Sequence, residues 1–195
     1  MRYASIRSMD ISNGESVGVS LFVQGCHFHC KNCFNQSTWD FNGGKEWTKE
    51  KKQEFIELAR RPYIKRISIL GGEPLADENI HDVLDLVTAL KNEFTNTIYS
   101  TNNELNHNIL NKNDDKIRLC YENKKSIWIY TGYYWSELRD LYRDKFEVVK
   151  LCDVLVDGRY IDELKDPSYP WAGSINQSVI DIQKSLKSEY PILWK

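Results

Sequence analysis

Arg66-Ile67-Ser68-Ile69-Leu70-Gly71-Gly72-Glu73-Pro74 sets a short aliphatic run directly against a double glycine and a proline. The run predicts a strand over 66–70 that stops at a turn, because glycine and proline interrupt regular backbone. Downstream, Ile80, Val83, Leu84, Val87 and Leu90 recur at helical spacing and predict one face of an amphipathic helix, with Asp77 as its N-terminal cap. A strand that turns into a helix is the repeating unit of α/β domains.

The same unit recurs on both sides. Upstream, Ser16 to Val23 alternates, with Val17, Val19, Leu21 and Val23 on one face, and reads as the first strand. A helix is predicted from about Thr48, carrying Phe55, Ile56 and Ala59 at helical spacing. Downstream, Ser126 to Tyr130 reads as a strand, Ser136 to Tyr142 as a short helix and Asp153 to Asp157 as another strand. The alternation predicts a mainly parallel sheet covered by helices, in one domain over 1–195. The segment 96–125 is rich in Asn, Lys and Asp and has no clear period, so it reads as a surface insertion. The tail after Asp166 is looser in composition.

The 195 residues carry 26 Lys and Arg against 28 Asp and Glu, which leaves no basic excess for nucleic acid or an anionic membrane surface. No apolar run approaches the length of a membrane span, and Met1 to Asp10 lacks the apolar core of a secretory signal, so the expected location is the cytoplasm. Five cysteines, three of them crowded into eight positions, make a poor disulfide framework. Cys120 and Cys152 stand alone and read as small buried hydrophobes.

The crowded three lie just past the first predicted strand, in Gly25-Cys26-His27-Phe28-His29-Cys30-Lys31-Asn32-Cys33-Phe34-Asn35, a C-x3-C-x2-C spacing. Three thiolates so close can wrap one inorganic centre. A structural zinc ion wants four closed ligands, and His27 or His29 could supply the fourth. A cubane iron–sulfur cluster prefers one thiolate per iron, so three cysteines leave one iron open to a small ligand. Zinc modules usually pair their cysteines, and no second pair exists here. Gly71-Gly72-Glu73-Pro74 sits at the carboxyl edge of its strand, where α/β sheets bind ligands. Its glycines let backbone approach a ligand closely.

Together, C-x3-C-x2-C after one strand and GGEP after the next resemble the radical S-adenosylmethionine superfamily. Among its branches the chain resembles the activating proteins of anaerobic (class III) ribonucleoside-triphosphate reductase. The matching passages are Met9-Asp10-Ile11-Ser12-Asn13-Gly14, Leu21 to Cys26, Asn35 to Trp39, Ile127 to Tyr133, Asp153 to Gly158 and Gly173 to Gln177. The resemblance implies a single-domain partial (βα)6-like barrel of about six parallel strands, a 4Fe-4S cluster and S-adenosylmethionine. It implies that Cys26, Cys30 and Cys33 are the cluster ligands and that Gly71, Gly72 and Glu73 hold the methionine end. Asn32 and Phe34 would lie along the adenosine, with Thr131 and Gly132 as further cofactor contacts. Reductive cleavage of the cofactor would give a 5′-deoxyadenosyl radical that takes hydrogen from a glycine of the reductase. The implied partners are the reductase large subunit and a one-electron donor such as flavodoxin; no side chain is implied as acid, base or nucleophile.

Two positions depart from that branch. Ala172 precedes Gly173-Ser174 where arginine is expected, and Ser178 follows Asn176-Gln177 where a basic residue is frequent. Three other readings stay open on sequence alone: an activase of another glycyl-radical enzyme, a compact radical synthase acting on a small molecule, and a non-enzymatic zinc or electron-carrier protein.

Overall fold

The computed structural model describes residues 1–94 and 124–195. Among these, eight strands form one mixed sheet: β1 (Arg2–Asp10), β2 (Gly18–Val23), β3 (Lys45–Glu46), β4 (Arg66–Gly71), β5 (Ser126–Tyr130), β6 (Val154–Asp157), β7 (Ser178–Asp181) and β8 (Ile192–Leu193). Their spatial order is β3-β1-β2-β4-β5-β6-β7-β8. The described helices are α1 (Lys49–Arg60), α2 (Ile80–Phe94), α3 (Trp135–Asp140), α4 (Arg143–Lys150) and α5 (Ile182–Ser185). None is long and apolar enough to cross a membrane.

The α/β class is as the sequence indicates, but the sheet is open, and among the described residues four strands rather than six are parallel. β2, β4, β5 and β6 pair in parallel, while β1 and β3 at one margin and β7 and β8 at the other run antiparallel to their neighbours. The parallel strands are buried along nearly their whole length, as strands covered on both faces must be. Ser16 to Val23 is therefore half right: it holds β2, but β1 precedes it.

Thr48 caps α1, its hydroxyl accepting the Lys51 amide at 3.2 Å, and the helix buries Phe55, Ile56 and Ala59 as predicted. In α2 the buried face comprises Ile80, Val83, Leu86, Val87, Leu90 and Phe94, whereas Leu84 is exposed. Asp77 is not the cap. It lies upstream of α2 and accepts the Lys145 ammonium of α4, so it ties α4 to the loop that leads into α2. The predicted helix over Ser136 to Tyr142 is α3, and α4 follows it unannounced. Residues of α1, α2, α3 and α4 pack with Ile67, Ile69, Ile127 and Ile129 into the main core. Each large aliphatic side chain so buried contributes about 1.5–3 kcal/mol.

The opposite face is built differently. Trp128, Val154, Val156 and Val179 form a smaller cluster there, covered by Trp171, Ala172 and Trp194. The β1–β2 turn folds over the rest: Arg66 Nη2 donates to the Asp10 carbonyl at 2.7 Å, and Ser68 Oγ donates to the Asn13 carbonyl at 2.7 Å. A side chain at Gly14 would meet Arg66 at 2.5 Å, which accounts for glycine in this turn. The predicted insertion at 96–125, all but Lys124 and Lys125, and Cys120 lie outside the described residues.

Candidate functional site

The carboxyl ends of β2 and β4 carry the two signal segments, and main-chain hydrogen bonds zip these segments together. Gly72 N donates to Val23 O at 2.9 Å and Glu73 N to Gly25 O at 2.7 Å. Contact is so close that a Cβ on Gly72 would stand 2.3 Å from Gly25 O. Gly71 and Gly25 take φ values of 109° and 96°, a region that favours glycine. Two buried amides brace the arrangement. Asn79 Nδ2 donates to both Gln24 O, at 3.0 Å, and Glu73 O, at 2.9 Å. Gln24 Nε2 donates to Ser37 O and Asp40 O, closing the base of the cysteine loop.

Within that loop His29 and Asn32 adopt left-handed backbone, and Cys33 N donates to Cys30 O at 3.1 Å. Asparagine tolerates this conformation, so Asn32 serves the turn between the second and third cysteines. Its side chain donates to Asp162 Oδ2 at 2.6 Å. Of the ten residues read as site residues it is the one that does not line the cavity.

The other nine meet there. Cys26, Cys30, Cys33 and Phe34 form one side of a cavity of about 520 Å³, Gly71, Gly72 and Glu73 a second, and Thr131 and Gly132 a third. Glu73 is almost wholly buried, and its carboxylate is held by three donors: Leu75 N at 2.8 Å and the Thr131 hydroxyl at 2.8 Å on Oε1, and Gly132 N at 2.8 Å on Oε2. Burial pushes its pKa up to about 7, although these hydrogen bonds oppose the shift.

The donor set suits a cluster. The three thiols are free. His27 pairs with Glu78 at 2.9 Å and lies against Phe41, and His29 stacks on Trp39. The thiols instead face a shared space. Burial pushes Cys26 up to about 11, with the Glu73 charge acting in the same direction, and burial followed by the Cys33 charge raises Cys30. A cationic centre would reverse that balance and bind thiolates. Asn35 N already donates to Cys33 Sγ at 3.4 Å, as amides do to cluster-bound sulfur. Cys152 is fully buried away from this loop, as its isolation suggests.

Several cavity residues carry no sequence signal of their own. Arg159 places its guanidinium 4.6 Å from the centre of the Phe28 ring, and Tyr160 packs on Phe34 with ring centres 5.1 Å apart. Gln177 holds this wall: Oε1 accepts Gly173 N at 2.8 Å, and Nε2 donates to Gly158 O at 2.8 Å. Gly173 to Gln177 therefore acts as a strap. Ala172 lines the cavity, and Ser178 opens β7, its amide donating to Asp157 Oδ1 at 3.0 Å.

The model of the 4Fe-4S single cluster domain family matches the chain over residues 12–120 and 105–180. Curated relatives named anaerobic ribonucleoside-triphosphate reductase-activating protein align over most of it. That of Escherichia coli strain K12 is 35% identical over 181 residues, spanning 92% of this chain and 97% of the relative. That of Vibrio cholerae is 34% identical over the same length, again 92% and 97%. That of Enterobacteria phage T4 is 29% identical over 177 residues, spanning 91% and 92%.

Proposed function

Since the chain belongs to the family of anaerobic ribonucleoside-triphosphate reductase-activating proteins, we propose that it is the iron–sulfur activase that installs a glycyl radical on such a reductase, with S-adenosylmethionine as its cofactor. The observation that carries the reading is the meeting of the three cysteines with Gly71 to Glu73 and Thr131 to Gly132 around one cavity.

Cys26, Cys30 and Cys33 would hold a 4Fe-4S cluster and leave one iron without a protein ligand. When bound, the reduced cluster supplies the electron that splits S-adenosylmethionine into methionine and a 5′-deoxyadenosyl radical, which takes hydrogen from the reductase glycine. The chain's part is to position and to exclude water. Glu73, fixed by three donors, presents a carboxylate to the cavity; an ammonium group brought beside it keeps it ionised despite its burial. Thr131 and Gly132 act through Glu73, whose two oxygens they aim. Phe34, Tyr160 and Phe28 supply apolar wall on which a nucleoside can rest. A one-electron donor such as flavodoxin would reduce the cluster.

The test is anaerobic reconstitution with iron and sulfide, reduction, and assay of 5′-deoxyadenosine with and without the reductase. Cleavage with a glycyl radical signal on the reductase supports the reading. A colourless, zinc-loaded protein that cleaves nothing overturns it.

A further inference from the structure

Two guanidinium groups line the cavity, those of Arg7 and Arg159, and both are held in the same way. Arg7 lies over the Phe22 ring and Arg159 over the Phe28 ring, each 4.6 Å from the ring centre. Stacking on an aromatic face fixes the plane of a guanidinium and leaves its N–H edges free for a paired contact with an anion. Among the described residues neither side chain donates a hydrogen bond to another group. The ion-pair partner of Arg7 is Asp10, at 3.6 Å. That carboxylate is already taken by the Ser12 and Asn13 amides, the Asn13 side chain and buried Arg66. The cavity wall therefore offers two cations with free donors.

The two stand at different places. Phe28 belongs to the cysteine loop, between Cys26 and Cys30, so Arg159 stands beside whatever the cysteines hold. Arg7 stands on β1, where it pairs with Ser20 of β2. Phe22 beneath it pairs with Leu70, which alternates with the helix-side Ile69, so Arg7 reaches over the face of the sheet away from the helices. Asn13, Leu70 and Trp171 complete the wall there. The Arg7 side chain is 52% exposed, so an occupant of the cavity can reach it. Met9 and Ile11, on the same hairpin, are exposed apolar side chains.

S-adenosylmethionine carries a single carboxylate, and in the activase reading the methionine end lies at the cysteines. The cofactor has no acid group left for Arg7. Its radical must meet the reductase glycine, so the rest of this cavity belongs to the reductase, and the anion that meets Arg7 is a side chain of that protein.

We propose that Arg7 binds an Asp or Glu carboxylate of the reductase segment that carries the radical glycine, and so fixes that segment over the sheet. The inference rests on the activase reading above and adds the residue that anchors the protein substrate.

Asp10 keeps its other donors in Arg7→Gln, so the variant retains the fold. Cluster-loaded full-length protein is titrated with a synthetic peptide spanning the reductase's radical glycine, and KM and kcat for intact reductase are measured in radical formation. Arg7→Gln is expected to weaken peptide binding and raise KM roughly 5- to 10-fold, with kcat little changed. Arg7→Lys, which keeps the charge and loses the fork, recovers part of that loss. Each Asp and Glu of the peptide is then replaced in turn by Asn or Gln. One replacement should weaken binding to wild type and leave binding to Arg7→Gln unchanged; coupling to none of them overturns the proposal. Affinity for S-adenosylmethionine is measured alongside, and a fall in Arg7→Gln would assign Arg7 to the cofactor and equally overturn it. If wild type forms the glycyl radical and Arg7→Gln matches it in peptide affinity and KM, the anchor is wrong while the activase reading stands. If wild type neither binds the peptide nor forms the radical, both fall.

Discussion

The Glu73 carboxylate accepts the Thr131 hydroxyl at 2.8 Å and so joins the carboxyl ends of two adjacent parallel strands. Its oxygens also take the Leu75 and Gly132 amides, and a glutamine at this position would turn its NH₂ group toward donors. Glu73→Gln is expected to lower unfolding free energy by about 2–3 kcal/mol, and Thr131→Val by about 1 kcal/mol. Urea unfolding of the cluster-free protein checks the order. Equal losses would mean that the carboxylate is not the centre of the network.

Gly72 carries a different constraint. A Cβ there would stand 2.3 Å from the Gly25 carbonyl oxygen, and this is backbone that cannot rotate away. Gly72→Ala must push the cysteine loop from the GGEP turn, at a cost of about 1–3 kcal/mol. Iron and sulfide content after reconstitution should fall with it. Wild-type stability and full loading in this variant would refute the close approach of the two segments.

Asp10 gives the acid response a defined window. Burial pushes its carboxyl up, but hydrogen bonds from the Asn13 amide and side chain and the Ser12 amide outweigh burial and hold its pKa down to about 2, from 3.8. A depressed carboxylate contributes stability that is present above pH 3.8 and lost as pH falls toward 2. The amount is about 2 kcal/mol. Asp10→Asn also strips Arg66 of its counter-charge and should cost about 3 kcal/mol near neutrality. The difference from wild type should shrink by about 2 kcal/mol on going from pH 5 to pH 2. A constant difference across that range would contradict the assignment.

Cys152 is fully buried, and its sulfur donates weakly to Val148 O at 3.7 Å. Cys152→Ala should cost about 1–2 kcal/mol in stability through lost packing. Iron, sulfide and visible absorbance should be retained. Loss of the cluster in a folded Cys152→Ala protein would mean that the ligand set is misassigned.

The sequence revealed most where local pattern and final environment agree. Arg66 to Leu70 and Ser126 to Tyr130 are central strands whose β-branched content is also their burial pattern, and Phe55, Ile56 and Ala59 mark α1 at helical period. β1 escaped because Arg2 to Asp10 lies toward the sheet margin and buries only Tyr3 and Asp10, leaving no apolar rhythm. Strand direction escaped too, since alternation is the same in either sense; hence the antiparallel margins where more parallel strands were expected. The face of α2 was misplaced by a fraction of a turn, because Leu84 and Leu86 fit the period about equally and only packing selects Leu86.

At the site, cysteine spacing and the GGEP turn are legible because the chemistry resides in residue type and interval. Asn79 and Gln24 are not: their bonds close loops through main-chain partners, and Asn79 reaches Gln24 across 55 positions. Asn32 takes left-handed backbone and donates to Asp162, a bond across 130 positions that residue type and spacing do not announce.

The central claim is tested most directly by electron paramagnetic resonance of the reductase after anaerobic incubation with reconstituted protein, reductant and S-adenosylmethionine. Wild type and the alanine variants of Cys26, Cys30 and Cys33 should be compared. The account predicts a glycyl radical signal with wild type and none with any of the three variants. A signal undiminished by loss of one of these cysteines would contradict it.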